Sequence, residues 1–180
     1  MVDSGVMEDY TYLWYDVRPH PRFGTVEIRA CDAQTRVEHT LGLTALIQAM
    51  VKELAEHFDA GTPLAEYPWQ MLDENKWLAA RHGMDGELVD PHLRGTRPAA
   101  AVLGALVDAA RPGLEVTGDL QPVLEGVRRV LTDGNGAQRQ RAAFTRAGWP
   151  GVLDVVRVAD HQPHRETVND GNGWVECDCG

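Results

Sequence analysis

Two short segments near the start of the chain, Tyr12–Arg18 and Thr25–Cys31, constrain its fold more than anything that follows. In the first, Leu13, Tyr15 and Val17 fall on one side and Trp14, Asp16 and Arg18 on the other. In the second, Val26, Ile28 and Ala30 oppose Thr25, Glu27, Arg29 and Cys31. Period-two alternation rich in aromatic and β-branched residues is the signature of a strand with one covered face. Between them, Pro19-His20-Pro21-Arg22-Phe23-Gly24 carries two prolines and a glycine, which interrupt a ladder and turn the chain. The pair reads as an antiparallel hairpin. A two-stranded ribbon is marginal alone, so other elements must cover it.

Downstream, the apolar period is mostly helical. Thr35-Arg36-Val37-Glu38 fits a capping box, in which hydroxyl and carboxylate satisfy free N–H groups at a helix start. The helix it opens runs to about Phe58, with Leu43, Ile47, Met50, Val51, Leu54 and Phe58 on one stripe, and Gly61-Thr62-Pro63 stops it. A second helix is predicted over Leu72–His82, ending at Gly83, followed by a turn at Asp85-Gly86 into a short strand, Glu87-Leu88-Val89. Three more helical segments are predicted near Ala99–Ala110, Leu120–Leu131 and Ala137–Ala147, separated by Arg111-Pro112-Gly113 and Asp133-Gly134-Asn135-Gly136. Strands first and helices after is an α+β order, with a partial antiparallel sheet (the N-terminal hairpin) packed on several helices. The expected domain covers residues 1–159. Residues 160–180 lack periodicity and are expected to form a polar, poorly ordered tail.

The formal charge of −10 repels phosphate backbones, which argues against nucleic-acid binding. The stretch before Tyr12 has no apolar run, and Leu41–Val51 is too short to span a bilayer, so no membrane association is expected. Three cysteines, Cys31, Cys177 and Cys179, make no disulfide framework and fit a reducing cytosol, so the expected compartment is cytoplasmic.

Residues two apart on a strand point the same way, so Asp16 and Arg18 share one face of the first strand, and Glu27 and Arg29 one face of the second. Two carboxylates can hold Mg²⁺, and two guanidiniums can grip phosphate or carboxylate oxygens in forked geometry, which is equipment for phosphoryl transfer from ATP. The competing reading is a solvated face laced with cross-strand ion pairs, and on periodicity alone it is the more economical. Asp73-Glu74-Asn75-Lys76-Trp77 with Arg81 is a second charged cluster that an exposed helix explains equally well, with Trp77 in the core. Gly134-Asn135-Gly136 could bind an anion at a helix start, but it lacks the ending of a P-loop, and capping is the simpler purpose. His161, His164, Cys177 and Cys179 are zinc-type ligands in a spacing that matches no common finger.

The segment from Tyr15 to Asp32 strongly resembles part of the glutamate–cysteine ligase type 2, or carboxylate–amine ligase, family. Leu72–Gly83 does too, and Gly134-Asn135-Gly136-Ala137 with Arg139 is similar to a later family stretch. The three fall in the family's order between about Gly5 and Ala147. The resemblance implies a glutamine synthetase-like fold, of which this chain would be the C-terminal half. It also implies ATP and Mg²⁺ as cofactors, and an ATP-dependent carbon–nitrogen ligase that activates a carboxylate as an acyl phosphate for attack by an amine. The small-molecule partners implied are glutamate and cysteine or another amine; the macromolecular partner is a second copy or the missing N-terminal half. By analogy Glu27 would bind metal, with Asp16 beside it. Arg29 and Arg18 would be the catalytic guanidiniums, and Asn75 and Arg81 the cofactor-binding contacts. Family members are longer, so a truncated chain that is weak or inactive alone is expected. The alternative is a catalytically dead fragment serving as an interaction or regulatory module.

Overall fold

The antiparallel ribbon predicted from the alternation is present. A computed structural model describes residues 3–157, together with the backbone of Arg165–Asn169 and Trp174–Asp178. The chain divides into two compact units, Met1–Gln34 and Thr35–Gly180. In the first, β1 (Val17–His20) pairs with β2 (Thr25–Ile28), with Arg18 opposite Glu27 and Pro19 opposite Val26. The strands are shorter than the alternation suggested, and β1 takes in Pro19 and His20, which the sequence placed in the turn. Arg29 N–H donates to the Asp16 carbonyl at 2.6 Å, which fixes the hydrogen-bonded levels of the ladder at Asp16–Arg29 and then Arg18–Glu27. Pro19 therefore sits at a level where a backbone N–H would point away from β2, and its ring costs no ladder bond.

The faces of this ribbon are covered the opposite way from a simple amphipathic hairpin. Val17 and Val26 are 53% and 52% exposed, whereas Arg18 is only 8% exposed. The reason is a 3₁₀ turn at Tyr10–Tyr12, capped by the Asp9 carboxylate, from which Thr11 and Leu13 present carbonyls to the Arg18 guanidinium. Polar groups, not apolar ones, fasten that segment to the ribbon.

The second unit holds α1 (Val37–Asp59), α2 (Trp69–His82), the hairpin β3 (Glu87–Asp90) and β4 (Gly95–Pro98), α3 (Ala99–Thr117), α4 (Leu120–Asp133), α5 (Gly136–Arg157), and the hairpin β5 (Arg165–Asn169) and β6 (Trp174–Asp178). Helices with small antiparallel ribbons make the architecture α+β, as expected. The core forms where α1, α3 and α4 meet, from Leu46 and Ala49, Val107, Ala110 and Leu114, and Val123. The predicted α1 stripe is rotated: Met50 packs against this core, but Leu54 and Phe58 are 48% and 75% exposed. A stripe ranked by side-chain size misses Ala49. Yet α3 packs tightly against Ala49, because a Cβ on Gly113 would lie 2.9 Å from the Ala49 carbonyl oxygen.

That approach also corrects the reading of Arg111-Pro112-Gly113 as a breaker. Helix α3 runs through Pro112 and stops at Gly118, whose φ of +79° is the left-handed stop. Pro112 forgoes one hydrogen bond, but Leu114 is fully buried and Gly113 lies against α1. Packing overrides the local preference. Thr35–Glu38 is not a capping box either, because Arg36 is the N-cap of α1 and no side chain caps it. Helix α5 is kinked at Ala147 and Gly148, where the predicted segment ended.

Strand β4 had no sequence signal; Asp90 organises its turn, accepting from the N–H groups of His92 and Leu93 at 2.7 and 3.1 Å and from Arg97 at 3.1 Å. The segment read as a tail contributes the β5–β6 backbone, and His161, His164 and Cys179 lie outside the described residues, as does the side chain of Cys177. No helix among the described residues is long and apolar enough to cross a membrane.

Candidate active-site ribbon

Glu27 joins two arginines on the ribbon. Its Oε2 accepts from Arg18 Nε at 2.5 Å and its Oε1 from Arg29 Nη1 at 3.2 Å. Arg18 Nη1 also donates to the carbonyls of Thr11 at 2.6 Å and Leu13 at 3.2 Å, so this guanidinium is held by three acceptors. Arg29 makes only the longer contact to Glu27 and lies over the ring of Trp14, 5.5 Å from its centroid. The hydrogen bond from Arg18, with the charges of both arginines, holds the Glu27 carboxyl below the usual carboxylate range. Glu27 is thus an ionised acceptor whose oxygens each keep a further lone pair.

Asp16 is exposed and stands level with Arg29 through the backbone bond between them. Among the described residues no group of three or more His, Cys, Asp or Glu could hold a metal ion. Two carboxylates fit Mg²⁺, which commonly takes one or two from protein and completes its shell with water and substrate phosphate. The donor chemistry of Glu27 and Asp16 therefore matches that cation and falls short of an all-protein cage.

Beside Arg18 on the same face, Tyr10 shares a 2.7 Å hydrogen bond with His20 Nε2, and the His20 ring stacks on Phe23 with centroids 4.4 Å apart. Sequence reasoning missed this corner because His20 lay between two prolines. The only signal was composition, with His20 and Phe23 inside the predicted turn and Tyr10 upstream of it.

In the second unit, the Asn75 amide bonds one backbone residue at both its ends: Nδ2 donates to the Val89 carbonyl at 2.9 Å and Oδ1 accepts from Val89 N–H at 2.6 Å. Asn75 clasps β3 to α2. Arg81 is exposed near the end of α2, on a different face of the helix from Asn75, and the two are not brought together. Trp77, expected in the core, is 57% exposed. The glycine turn does cap a helix: Asn135 N–H donates to Gln138 Oε1 and Gln138 N–H to Asn135 Oδ1, both at 2.9 Å. This reciprocal box is the geometry the sequence promised at Thr35–Glu38.

Residues 1–170 match the family described as glutamate-cysteine ligase family 2. Among curated proteins, the chain is 40% identical over 156 residues to a Rubrobacter xylanophilus protein named "Putative glutamate--cysteine ligase 2-1", covering 87% of this chain and 40% of that one. It is 38% identical over 146 residues to "Putative glutamate--cysteine ligase 2" of Sorangium cellulosum, covering 81% and 39% of the two chains. It is 38% identical over 158 residues to "Glutamate--cysteine ligase" of Natronomonas pharaonis, covering 88% and 40%. The chain spans about 40% of the length of these relatives.

Proposed function

The chain belongs to glutamate-cysteine ligase family 2, and from that premise we propose that its β1–β2 ribbon forms part of the active site of an ATP-dependent carboxylate–amine ligase. In this reading ATP transfers its terminal phosphoryl group to a carboxylate, typically the γ-carboxylate of glutamate. An amine such as that of cysteine then attacks the acyl phosphate, expelling phosphate and leaving an amide bond. The names of the relatives support the ligase class.

The observation that carries the reading is the arrangement of Arg18, Glu27 and Arg29. Glu27 and Asp16 would hold Mg²⁺, which neutralises phosphate charge when bound. Arg18, fixed by three acceptors, keeps the Glu27 carboxylate ionised and aimed. Arg29 has one long bond to break, so it is the guanidinium able to turn onto a phosphate or substrate carboxylate. Arg81 is proposed as a further nucleotide or substrate contact. Asn75, its amide occupied by Val89, serves cofactor binding by fixing β3. A glutamine synthetase-like sheet is the proposed surrounding, with other ligands supplied by the rest of the family architecture. The chain alone is accordingly expected to turn over weakly.

The test supplies the chain with ATP, Mg²⁺, glutamate and cysteine and follows ADP release, alongside Mg·ATP affinity by calorimetry. In the chain alone Glu27→Gln should weaken Mg·ATP binding, and in the full-length context it should also cut turnover about a hundredfold, an effect of several kcal/mol on the transition state. Arg29→Lys should damage both, because an ammonium cannot reproduce a forked contact. A folded Glu27→Gln protein with unchanged turnover and unchanged affinity at limiting Mg²⁺ refutes the assignment.

A further inference from the structure

A cavity of about 580 Å³ opens where the start of α1 faces α5, and its wall includes Arg36, Glu38, Arg139, Arg146 and Asp154. The three guanidiniums are poorly neutralised. Arg36 reaches Asp133 only at 4.0 Å. Arg139 donates Nη1 to the Gly134 carbonyl and Nη2 to the Thr35 hydroxyl at 3.0 Å, both uncharged acceptors, while its Nε is buried without an acceptor among the described residues. Arg146 is exposed and makes no ion pair or hydrogen bond among the described residues.

Helix α1 adds to this. Its first turn lines the cavity through Val37 and Glu38, whose N–H groups precede those of His39 and Thr40 that donate to the Arg36 carbonyl, and no side chain caps this end. Arg139 and Arg36 also disfavour protonation of the buried His39, after burial itself, which reports the sign of the local potential. Three guanidiniums against two carboxylates, Glu38 and Asp154, make this wall cationic on a chain of net charge −10.

We propose that this cavity binds a small phosphate-bearing anion. Three arginine charges on one wall beside the start of a helix suit a tetrahedral oxyanion, which takes donors from several sides, better than a flat carboxylate, which two oxygens satisfy. The inference uses residues of the second unit alone and does not depend on the ribbon's proposed role.

The experiment titrates the whole chain, without Mg²⁺, with inorganic phosphate and separately with ATP, following the thermal midpoint and calorimetric heat. Saturable phosphate binding is expected. Arg146→Gln should weaken it about tenfold or more, as loss of a charged hydrogen bond does, and Arg36→Gln should act alike. Glu38→Gln should tighten it several-fold by removing a like charge, an effect that a structural role for these residues would not produce. Glu27→Gln should leave it unchanged, which separates this site from the ribbon. ATP binding that responds to the same substitutions identifies a nucleotide phosphate as the source, and phosphate binding alone identifies the free ion. Arg146 is exposed, so its variant remains folded and decides the matter should Arg36→Gln not fold. Absence of saturable binding, or affinity unmoved by Arg146→Gln, overturns the proposal.

Discussion

Substituting alanine for either of two glycines in helix α3 should produce opposite effects, and the contrast tests how α1 and α3 pack. Gly104 has open space around a built Cβ, whereas at Gly113 that atom would lie 2.9 Å from the Ala49 carbonyl oxygen and 3.2 Å from both Ala49 Cα and Cβ. Glycine to alanine in a helix interior gains about 0.8–1 kcal/mol of propensity. Gly104→Ala should keep most of that gain. At Gly113 the obstruction is backbone of a neighbouring helix rather than the tip of a flexible side chain, so relief requires the two helices to separate. Overpacking of this kind costs about 1–3 kcal/mol. It would also disturb the contacts of Leu114, which is fully buried. Set against the propensity gain, the net for Gly113→Ala is a loss of up to about 2 kcal/mol, or a fall in the thermal midpoint of up to about 8 °C for a chain of this size. Urea denaturation of the two variants side by side measures both signs. Should Gly113→Ala stabilise as much as Gly104→Ala, the close approach of α1 and α3 would be wrong.

The Asn75 clasp and the His39 pocket give two further tests. Asn75→Ala leaves both backbone groups of Val89 without their partner, at a cost of about 1–3 kcal/mol. Hydrogen exchange should show the Val89 amide losing protection while the core amides of α3 keep theirs; retained protection at Val89 would contradict the clasp. His39 is 4% exposed and neither ring nitrogen has a partner among the described residues. Burial first, then the charges of Arg139 and Arg36, lower its pKa below the ordinary value of 6.5. The unfolded chain therefore takes up the proton first as pH falls. The stability tied to a neutral His39 is complete above the unfolded pKa and drains away as pH drops through 6.5 toward the folded value. Denaturation midpoints at pH 7.5 and 5.5 should differ in the native protein and differ less in His39→Phe; an equal difference in both assigns the pH dependence elsewhere.

The ribbon and its charges were legible in the sequence because Arg18, Glu27 and Arg29 fall at period-two positions, and period two survives any choice of which face is covered. Which face is covered was not legible. Tyr10 to Leu13 covers it as a 3₁₀ turn through carbonyls, and carbonyls leave no trace in residue type. The same distinction explains the caps. Thr35-Arg36-Val37-Glu38 and Asn135-Gly136-Ala137-Gln138 are equally good four-residue patterns, but the Thr35 hydroxyl is taken by Arg139 from far along the chain, and only the second box closes. Pro112 misled for a related reason, since a local breaker was outweighed by the fit of Gly113 against Ala49. The cavity at the start of α1 draws Arg36, Arg139 and Arg146 from distant stretches, so no local spacing announces it.

Pro19 gives the ribbon a direction of growth. Its ring stands where β1 would offer a donor to a strand on its far side, leaving Val17 as the remaining outward donor of that strand. On β2 the outward-facing residues are Val26 and Ile28, and both retain their N–H. A third strand joining this ribbon would therefore find a full set of donors beside β2 and a gap beside β1. Sheet extension is biased to one edge, and the line of Val26 and Ile28 would become its seam.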